Sequence, residues 1–246
     1  MPLSIPEYLR TANIQDVEIR YLWDDWNVEQ AEEPVDTEFL ERLTGISQRA
    51  TIALTIATAE WIVYRFGALC DDPRLLQYLE AAWAQVVHRL HAARTWEDSV
   101  AQVDWSGPIK GPLGVAMIRV MYAIQETEVD GNPELFTAWI AKLAPYLMTN
   151  PVPYRHWLKR VLERLRALYP RDPDESLGEV VPREALDPGF DFRLDQTEAL
   201  VNRFLTGLDF ESNPFLSSPS WMLAKGFQGT PYVFDIEKER KDRLEW

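Results

Sequence analysis

The chain has 246 residues, of which 46% are hydrophobic and 12% aromatic, and its formal net charge at pH 7 is −14. This apolar content predicts a folded core and excludes a disordered chain. The acidic balance argues against nucleic-acid binding, which depends mainly on Lys and Arg. The single cysteine, Cys70, cannot form an intramolecular disulfide, so we expect a reducing, cytoplasmic location.

Two features argue against a membrane protein. The first 15 residues hold no apolar stretch of signal-peptide length. The longest apolar stretch, residues 50–59, is much shorter than the roughly 20 residues that cross a bilayer. We therefore expect neither secretion nor membrane insertion.

Negative charge is concentrated at the start of the chain. Residues 1–48 hold eleven Asp and Glu but only three Lys and Arg. The net negative charge of this stretch is more than half of the net charge of the whole chain. We treat residues 1–36 as an acidic N-terminal segment. Its local structure is ambiguous, because Ser4 to Glu7 is typical of a helix start whereas Val17 to Trp23 alternates as a strand does. Helix is the favoured interpretation.

Residues 37–169 predict a helical core. Asp36 is a candidate N-cap, and apolar residues then recur every three or four positions, which predicts one long helix over about 37–69. Its middle is small and apolar on every side, so we expect it to be the central, buried helix. Asp72 and Pro73 begin a second helix whose apolar stripe runs to Leu90.

The remaining chain predicts further helices separated by turns. Glycines, prolines and tryptophans over residues 95–114 indicate a turn-rich surface connection. Three helices are predicted next, over residues 113–127, 133–148 and 154–169. A linker or strapping loop that contains Pro173, Pro182 and Pro188 follows over residues 170–193. The C-terminal region 194–246 holds one more helix, over residues 194–208, and an apolar, turn-rich strap.

The fold prediction is therefore a single all-α domain over residues 1–246, compact, with a central buried helix. An irregular helical-repeat arrangement is the alternative.

The histidines and the cysteine do not indicate catalysis. His88 and His91 have a spacing that places two ligands on one helical face, but the apolar stripe predicts that both face solvent, and no second set of ligands appears. His156 lies on the polar side of its helix. Asp71 and Asp72 follow Cys70 directly and would raise its thiol pKa, which disfavours a nucleophile. We expect no catalytic residue, no metal site and no cofactor.

Two other segments allow more than one interpretation. The polar side of helix 154–169 is rich in Arg and Lys, and we favour internal pairing with the acidic segment over binding of an anionic partner. The glycine-containing stretch 225–232 is either a contact site or a strap over the core. Packing is the favoured interpretation because its neighbours are strongly apolar.

The leading functional hypothesis is protein binding through the acidic, aromatic N-terminal segment. Trp side chains anchor interfaces well, and surrounding carboxylates accelerate the capture of a basic protein. One concrete form is a bacterial immunity protein or antitoxin-like inhibitor that neutralises a basic toxin or effector. The candidate partner-binding residues are Trp23, Asp24, Asp25, Trp26, Glu29, Glu32, Glu33 and Asp36.

A second hypothesis is an enzyme or small-molecule binder whose pocket lies between helices. Its candidates are Arg49, Glu60 and Arg65, the ionisable residues on the otherwise apolar central helix. A structural or adaptor subunit is a third possibility. The sequence leaves the oligomeric state open.

Overall fold

The computed structural model describes residues 5–101, 104–128 and 131–243, and these form an all-α structure. No β-strand occurs in these ranges, which hold two isolated bridges, Ile46 with Pro170 and Ala92 with Leu216. The predicted fold class is confirmed. The helices are α1 Glu7–Ala12, α2 Glu29–Glu32, α3 Thr37–Leu43, α4 Gln48–Arg65, α5 Pro73–Val87, α6 Trp96–Ser99, α7 Gly107–Glu128, α8 Pro133–Leu147, α9 Val152–Leu168, α10 Thr197–Thr206, α11 Pro219–Ala224 and α12 Ile236–Arg243.

The central helix is α4, which is buried over its whole length. It packs against α5, α7 and α8, so neighbours surround its small apolar side chains. Two of its threonines bond to the backbone one turn earlier: the Thr51 hydroxyl donates to the Ser47 carbonyl, and the Thr55 hydroxyl donates to the Thr51 carbonyl and lies 2.7 Å from the Thr137 hydroxyl on α8. One continuous core extends from Leu9 to Phe234.

The predicted long helix over residues 37–69 is in fact two helices, α3 and α4. The Ser47 side chain accepts the backbone N–H of Ala50 and so caps α4. The first two N–H groups of α4, those of Gln48 and Arg49, donate to the carbonyls of Ser176 and Leu177 in the loop 170–193, at 2.9 and 3.0 Å. This tertiary capping starts a new helix where the apolar periodicity alone predicts continuation.

The prediction of a turn-rich connection up to residue 114 is wrong in its second half, because α7 begins at Gly107. Pro108 lies in the first helical turn, where a proline costs nothing. Pro112 lies inside the helix and cannot donate to the Pro108 carbonyl. The Tyr21 hydroxyl donates to that carbonyl instead, which supplies the missing hydrogen bond.

Helix α8 contains a second internal proline with the same compensation. Pro145 leaves the Ala141 carbonyl without its helical donor, and the Tyr154 hydroxyl donates to it at 3.3 Å. Side chains from other segments therefore allow two long helices to continue through proline.

The prediction that His91 faces solvent is wrong. Helix α5 ends at Val87, and residues 89–91 form a 3-10 turn, so the helical periodicity does not extend to these histidines. His91 is only 2% exposed, and its Nδ1 lies 3.0 Å from the Ala84 carbonyl in the last turn of α5. The ring caps a helix end instead of facing water.

The loop 170–193 is a strap rather than a linker. Its apolar residues, including Val180, Val181 and Leu186, are buried. Arg164 of α9 donates to the Asp187 carbonyl at 2.6 Å and to the Phe190 carbonyl at 3.1 Å. The basic side of α9 therefore holds the strap through backbone carbonyls.

The predicted pairing of the acidic segment with α9 does not occur in the described part of the chain. Among the described residues, no ion pair joins α9 to residues 5–36. That segment begins with the short helix α1, followed by irregular backbone over residues 17–23; Ser4, the predicted cap, lies outside the described residues.

Within the described ranges, no helix combines the length and apolar character needed to cross a membrane.

Candidate functional site

The N-terminal segment exposes two large apolar side chains among carboxylates. Trp26 is 97% exposed and Leu22 is 85% exposed. Asp24, Glu29 and Glu33, which are close to them in sequence, are also exposed. We call these five residues the acidic-aromatic face.

Side chains behind the acidic-aromatic face fix its backbone in place. The Trp23 indole donates to Asp25 at 2.7 Å, and the Asp25 carboxylate accepts the Gly107 N–H at 2.8 Å. The Tyr146 hydroxyl donates to the Leu22 carbonyl at 2.5 Å. Because Asp25 caps the start of α7, the face is attached to one of the core helices.

Two further candidates stabilise the fold instead of facing a partner. Glu32 is buried and forms a two-point ion pair with Arg119, whose guanidinium also lies over the Trp139 ring. Asp36 accepts the backbone N–H groups of Glu38 and Phe39 at 3.0 and 3.2 Å, which confirms it as the N-cap of α3.

The eight candidate residues therefore divide into two groups. Trp23, Asp25, Glu32 and Asp36 hold the segment, whereas Asp24, Trp26, Glu29 and Glu33 remain open to solvent. No ion pair among the described residues involves Glu29 or Glu33. Leu22 is not among the residues predicted from the sequence, although its position beside Trp23 in an alternating stretch could have indicated an exposed side chain.

The three candidate pocket residues do not converge on one site. Arg49 pairs with Glu239 and donates to the Gly178 carbonyl at 3.0 Å. Arg65 donates to the Leu147 carbonyl at 3.2 Å and to the carbonyls of Asp16 and Glu18. Both arginines tie other segments to α4.

Glu60 lies at the centre of a buried polar cluster. Its carboxylate accepts from the Trp83 indole at 2.8 Å, pairs with Arg183 of the strap at 2.8 Å, and lies 3.4 Å from the Tyr8 hydroxyl. Burial raises the pKa of Glu60, while Arg183 and Trp83 oppose this effect. Burial alone would lower the pKa of Arg183, but Glu60, Tyr8 and Tyr64 together outweigh burial and raise that pKa. The sequence identified Glu60 but not Arg183.

A cavity of about 740 Å³ lies beside this cluster. Its walls include Tyr8, Trp61 and Trp157, and the Tyr8 and Trp157 rings stack with centroids 5.6 Å apart. Because Glu60 is paired on several sides and does not line the cavity, the geometry does not present it as a free general base.

The described residues contain no cluster of three or more His, Cys, Asp or Glu side chains that could hold a metal ion. Comparison of the chain with protein-family models, with curated proteins and with solved structures finds no match in any of the three.

Proposed function

We propose that this chain is a protein-binding protein that captures a basic partner through the acidic-aromatic face. The observation that carries the proposal is the exposure of Trp26 and Leu22 between carboxylates on a fixed segment. Large apolar side chains in water are costly, and an exposed Trp is the residue type most enriched at energetic centres of interfaces.

Rigidity supports the proposal as much as composition does. The bonds from Asp25 to Gly107 and from Tyr146 to Leu22 hold the backbone on both sides of the exposed apolar residues. A surface that is ordered before binding loses less conformational entropy when the partner docks.

Charge indicates the kind of partner. Asp24, Glu29 and Glu33 give the face its negative charge, and no ion pair among the described residues joins them to α9. Carboxylates around an apolar centre accelerate encounter with a basic protein and repel acidic ones. The finer form of the proposal is a cytoplasmic, immunity-type or antitoxin-like inhibitor of a basic bacterial toxin.

The test compares two charge-matched variants of the full chain as bait. The face variant carries Trp26→Ala, Asp24→Asn, Glu29→Gln and Glu33→Gln. The control variant removes one exposed apolar and three exposed acidic side chains elsewhere through Leu223→Ala, Glu163→Gln, Glu198→Gln and Glu211→Gln.

We expect the wild-type chain and the control variant to retain the same basic protein from a host lysate, and the face variant to lose it. The purified partner should then bind the wild-type chain more weakly as NaCl rises from about 0.05 to about 0.3 M, because salt screens the carboxylates. Equal retention by the face variant would refute the proposed surface.

A further inference from the structure

The solvent-facing side of helix α9 is basic, although the chain as a whole carries a net charge of −14. The charged residues of α9 that are exposed comprise four cations and one carboxylate, Arg155, Lys159, Arg160, Arg166 and Glu163. Such a concentration of positive charge attracts negatively charged surfaces.

Three of these cations have no partner in the described part of the chain. Arg160 donates to the Pro188 carbonyl of the strap at 2.9 Å. Arg155, Lys159 and Arg166 form no hydrogen bond, ion pair or ring contact with the described residues. Arg155 also lies in the first turn of α9, where the helix dipole disfavours a cation. Helix stability therefore does not account for Arg155.

The three cations lie on one stripe of the helix together with an exposed apolar residue. At 3.6 residues per turn, Val152, Arg155, Lys159 and Arg166 lie within about 60° around the axis and extend about 21 Å along it. Val152 is 52% exposed. We call these four residues the basic face of α9. Glu163 lies on the same side, and the cations outnumber it by three to one.

The acidic-aromatic face has the complementary composition. It combines three exposed carboxylates with the exposed side chains of Leu22 and Trp26. Within the described ranges, no ion pair joins this face to α9. Each of the two surfaces is therefore open to the other surface on a different molecule, where carboxylates would meet cations and apolar residues would meet Val152.

We propose that the basic face of α9 docks on the acidic-aromatic face of a second copy of this chain. Such self-association rests on the proposed function, because it takes the acidic-aromatic face as a docking surface. It also regulates that surface: a copy whose face is covered binds a basic partner only after the second copy leaves.

The contact joins two different surfaces of the same chain, so it is heterologous. Each associated pair still presents one unused surface of each kind, and further copies can add head to tail or close a ring. A two-fold dimer built from one surface alone would not continue in this way.

Salt should change the association in two directions. The net charge of −14 makes copies repel each other, and this repulsion reaches about 30 Å at 0.01 M salt but about 10 Å at 0.1 M. Contacts between the two faces lose strength only at higher salt. Association should therefore be strongest near about 0.1 M NaCl and weaker at both about 0.01 M and about 0.5 M.

Sedimentation velocity of the full chain measures this association at the three salt concentrations. We expect a weight-average mass that rises with protein concentration over the micromolar range, most steeply near 0.1 M NaCl. A chain that stays monomeric under all three conditions overturns the proposal. So does a monomeric chain that retains an acidic host protein through the basic face, because the occupant is then not a second copy.

Three variants locate the contact. The helix variant carries Arg155→Gln, Lys159→Gln and Arg166→Gln, and the face variant is the one described above for partner binding. Each alone should raise the dissociation constant for self-association at least about tenfold. The matched control removes three exposed cations outside α9 through Arg94→Gln, Arg193→Gln and Lys225→Gln, and should associate as the wild-type chain does.

Mixing the variants tests the head-to-tail arrangement. The helix variant keeps the acidic-aromatic face and the face variant keeps the basic face, so an equal mixture should form a 1:1 complex and grow no further. A mixture that stays monomeric overturns the contact, as does a helix variant that associates as the wild-type chain does.

Binding of the basic partner separates this proposal from the proposed function. The helix variant should bind the partner at least as tightly as the wild-type chain, because no second copy competes for its face. If the partner binds but the wild-type chain stays monomeric, self-association alone is refuted. If the wild-type chain associates through both faces but retains no basic partner, only the proposed function fails.

Discussion

Glu60 and Arg183 show how a single buried charge pair can join distant parts of the chain. Glu60 belongs to the central helix and is fully buried, and Arg183 belongs to the strap and has a side chain that is only 16% exposed. Removing one partner leaves the other charge in the core without compensation, which is more costly than removing both. The pair therefore links correct folding of α4 to docking of the strap.

We predict that Arg183→Met lowers the free energy of unfolding by about 3–5 kcal/mol. Glu60→Gln should also be destabilising, and the double variant should lose less than the sum of the two single variants. Urea denaturation of the three variants measures this. Additive losses would show that the two side chains do not act as a pair.

His91 gives a pH dependence to stability. Burial is the main reason that its pKa falls from 6.5 to about 4, with His88 adding to the effect. A lowered histidine pKa means that the folded state holds the neutral ring. The unfolded state takes up a proton first as the solution is acidified, so stability is present above pH 6.5 and is lost as pH falls towards 4.

We predict that acidification from about pH 7 to about pH 5 removes about 2 kcal/mol of stability through His91 alone. The measurement is urea denaturation of the wild-type chain and the His91→Asn variant at both pH values. Their difference in unfolding free energy should narrow at the lower pH by this amount. A constant difference would contradict the burial of a neutral ring.

At the scale of elements, helix α7 depends on a side chain from another segment. The carbonyl of Pro108 has no helical donor because residue 112 is proline, and the Tyr21 hydroxyl provides one. The same contact attaches the backbone beside the acidic-aromatic face to the core. One hydrogen bond thus serves both the helix and the candidate site.

We predict that Tyr21→Phe destabilises the protein by about 1 kcal/mol, because it leaves the Pro108 carbonyl unsatisfied. Adding Pro112→Ala should restore most of this loss, since residue 112 then donates to that carbonyl along the helix. Thermal denaturation of the single and double variants tests the argument. A double variant less stable than Tyr21→Phe would contradict it.

Helix boundaries show what the sequence could and could not predict. The start of α5 follows directly from Asp72 and Pro73, because cap and first-turn proline are local signals. The break before α4 depends on carbonyls of the strap, and α7 depends on Tyr21. Contacts between distant segments set these boundaries, and local periodicity does not contain them.

The candidate site shows the same division. Composition identified the acidic, aromatic segment, and with it Trp26, because acidic and aromatic residues are concentrated in one short stretch of the sequence. It could not separate Asp25 and Glu32, which bind Gly107 and Arg119, from carboxylates that face water. Partner residues far along the chain decide which charges are used internally.

At the scale of the molecule, cations of α9 are used on the strap, which leaves the acidic-aromatic face negatively charged. Arg164 alone donates to three strap carbonyls, those of Ala185, Asp187 and Phe190.

We predict that Arg164→Ala loosens the strap without unfolding α9, because it removes the hydrogen bonds that the charged guanidinium donates to strap carbonyls while the apolar face of α9 stays intact. Hydrogen exchange of backbone amides over residues 183–192 should accelerate by about tenfold or more. Arg155→Ala, on an exposed residue of the same helix, is the control and should leave exchange there unchanged.

The most direct test of the central claim is calorimetric titration of the purified partner with the wild-type chain and with Trp26→Ala. Trp26 is almost fully exposed, so its removal should not affect folding. Because Trp26 is the proposed anchor of the interface, its loss should weaken the affinity for the partner by about thirtyfold or more, which corresponds to about 2 kcal/mol. Unchanged affinity and unchanged salt dependence would contradict partner capture through the acidic-aromatic face.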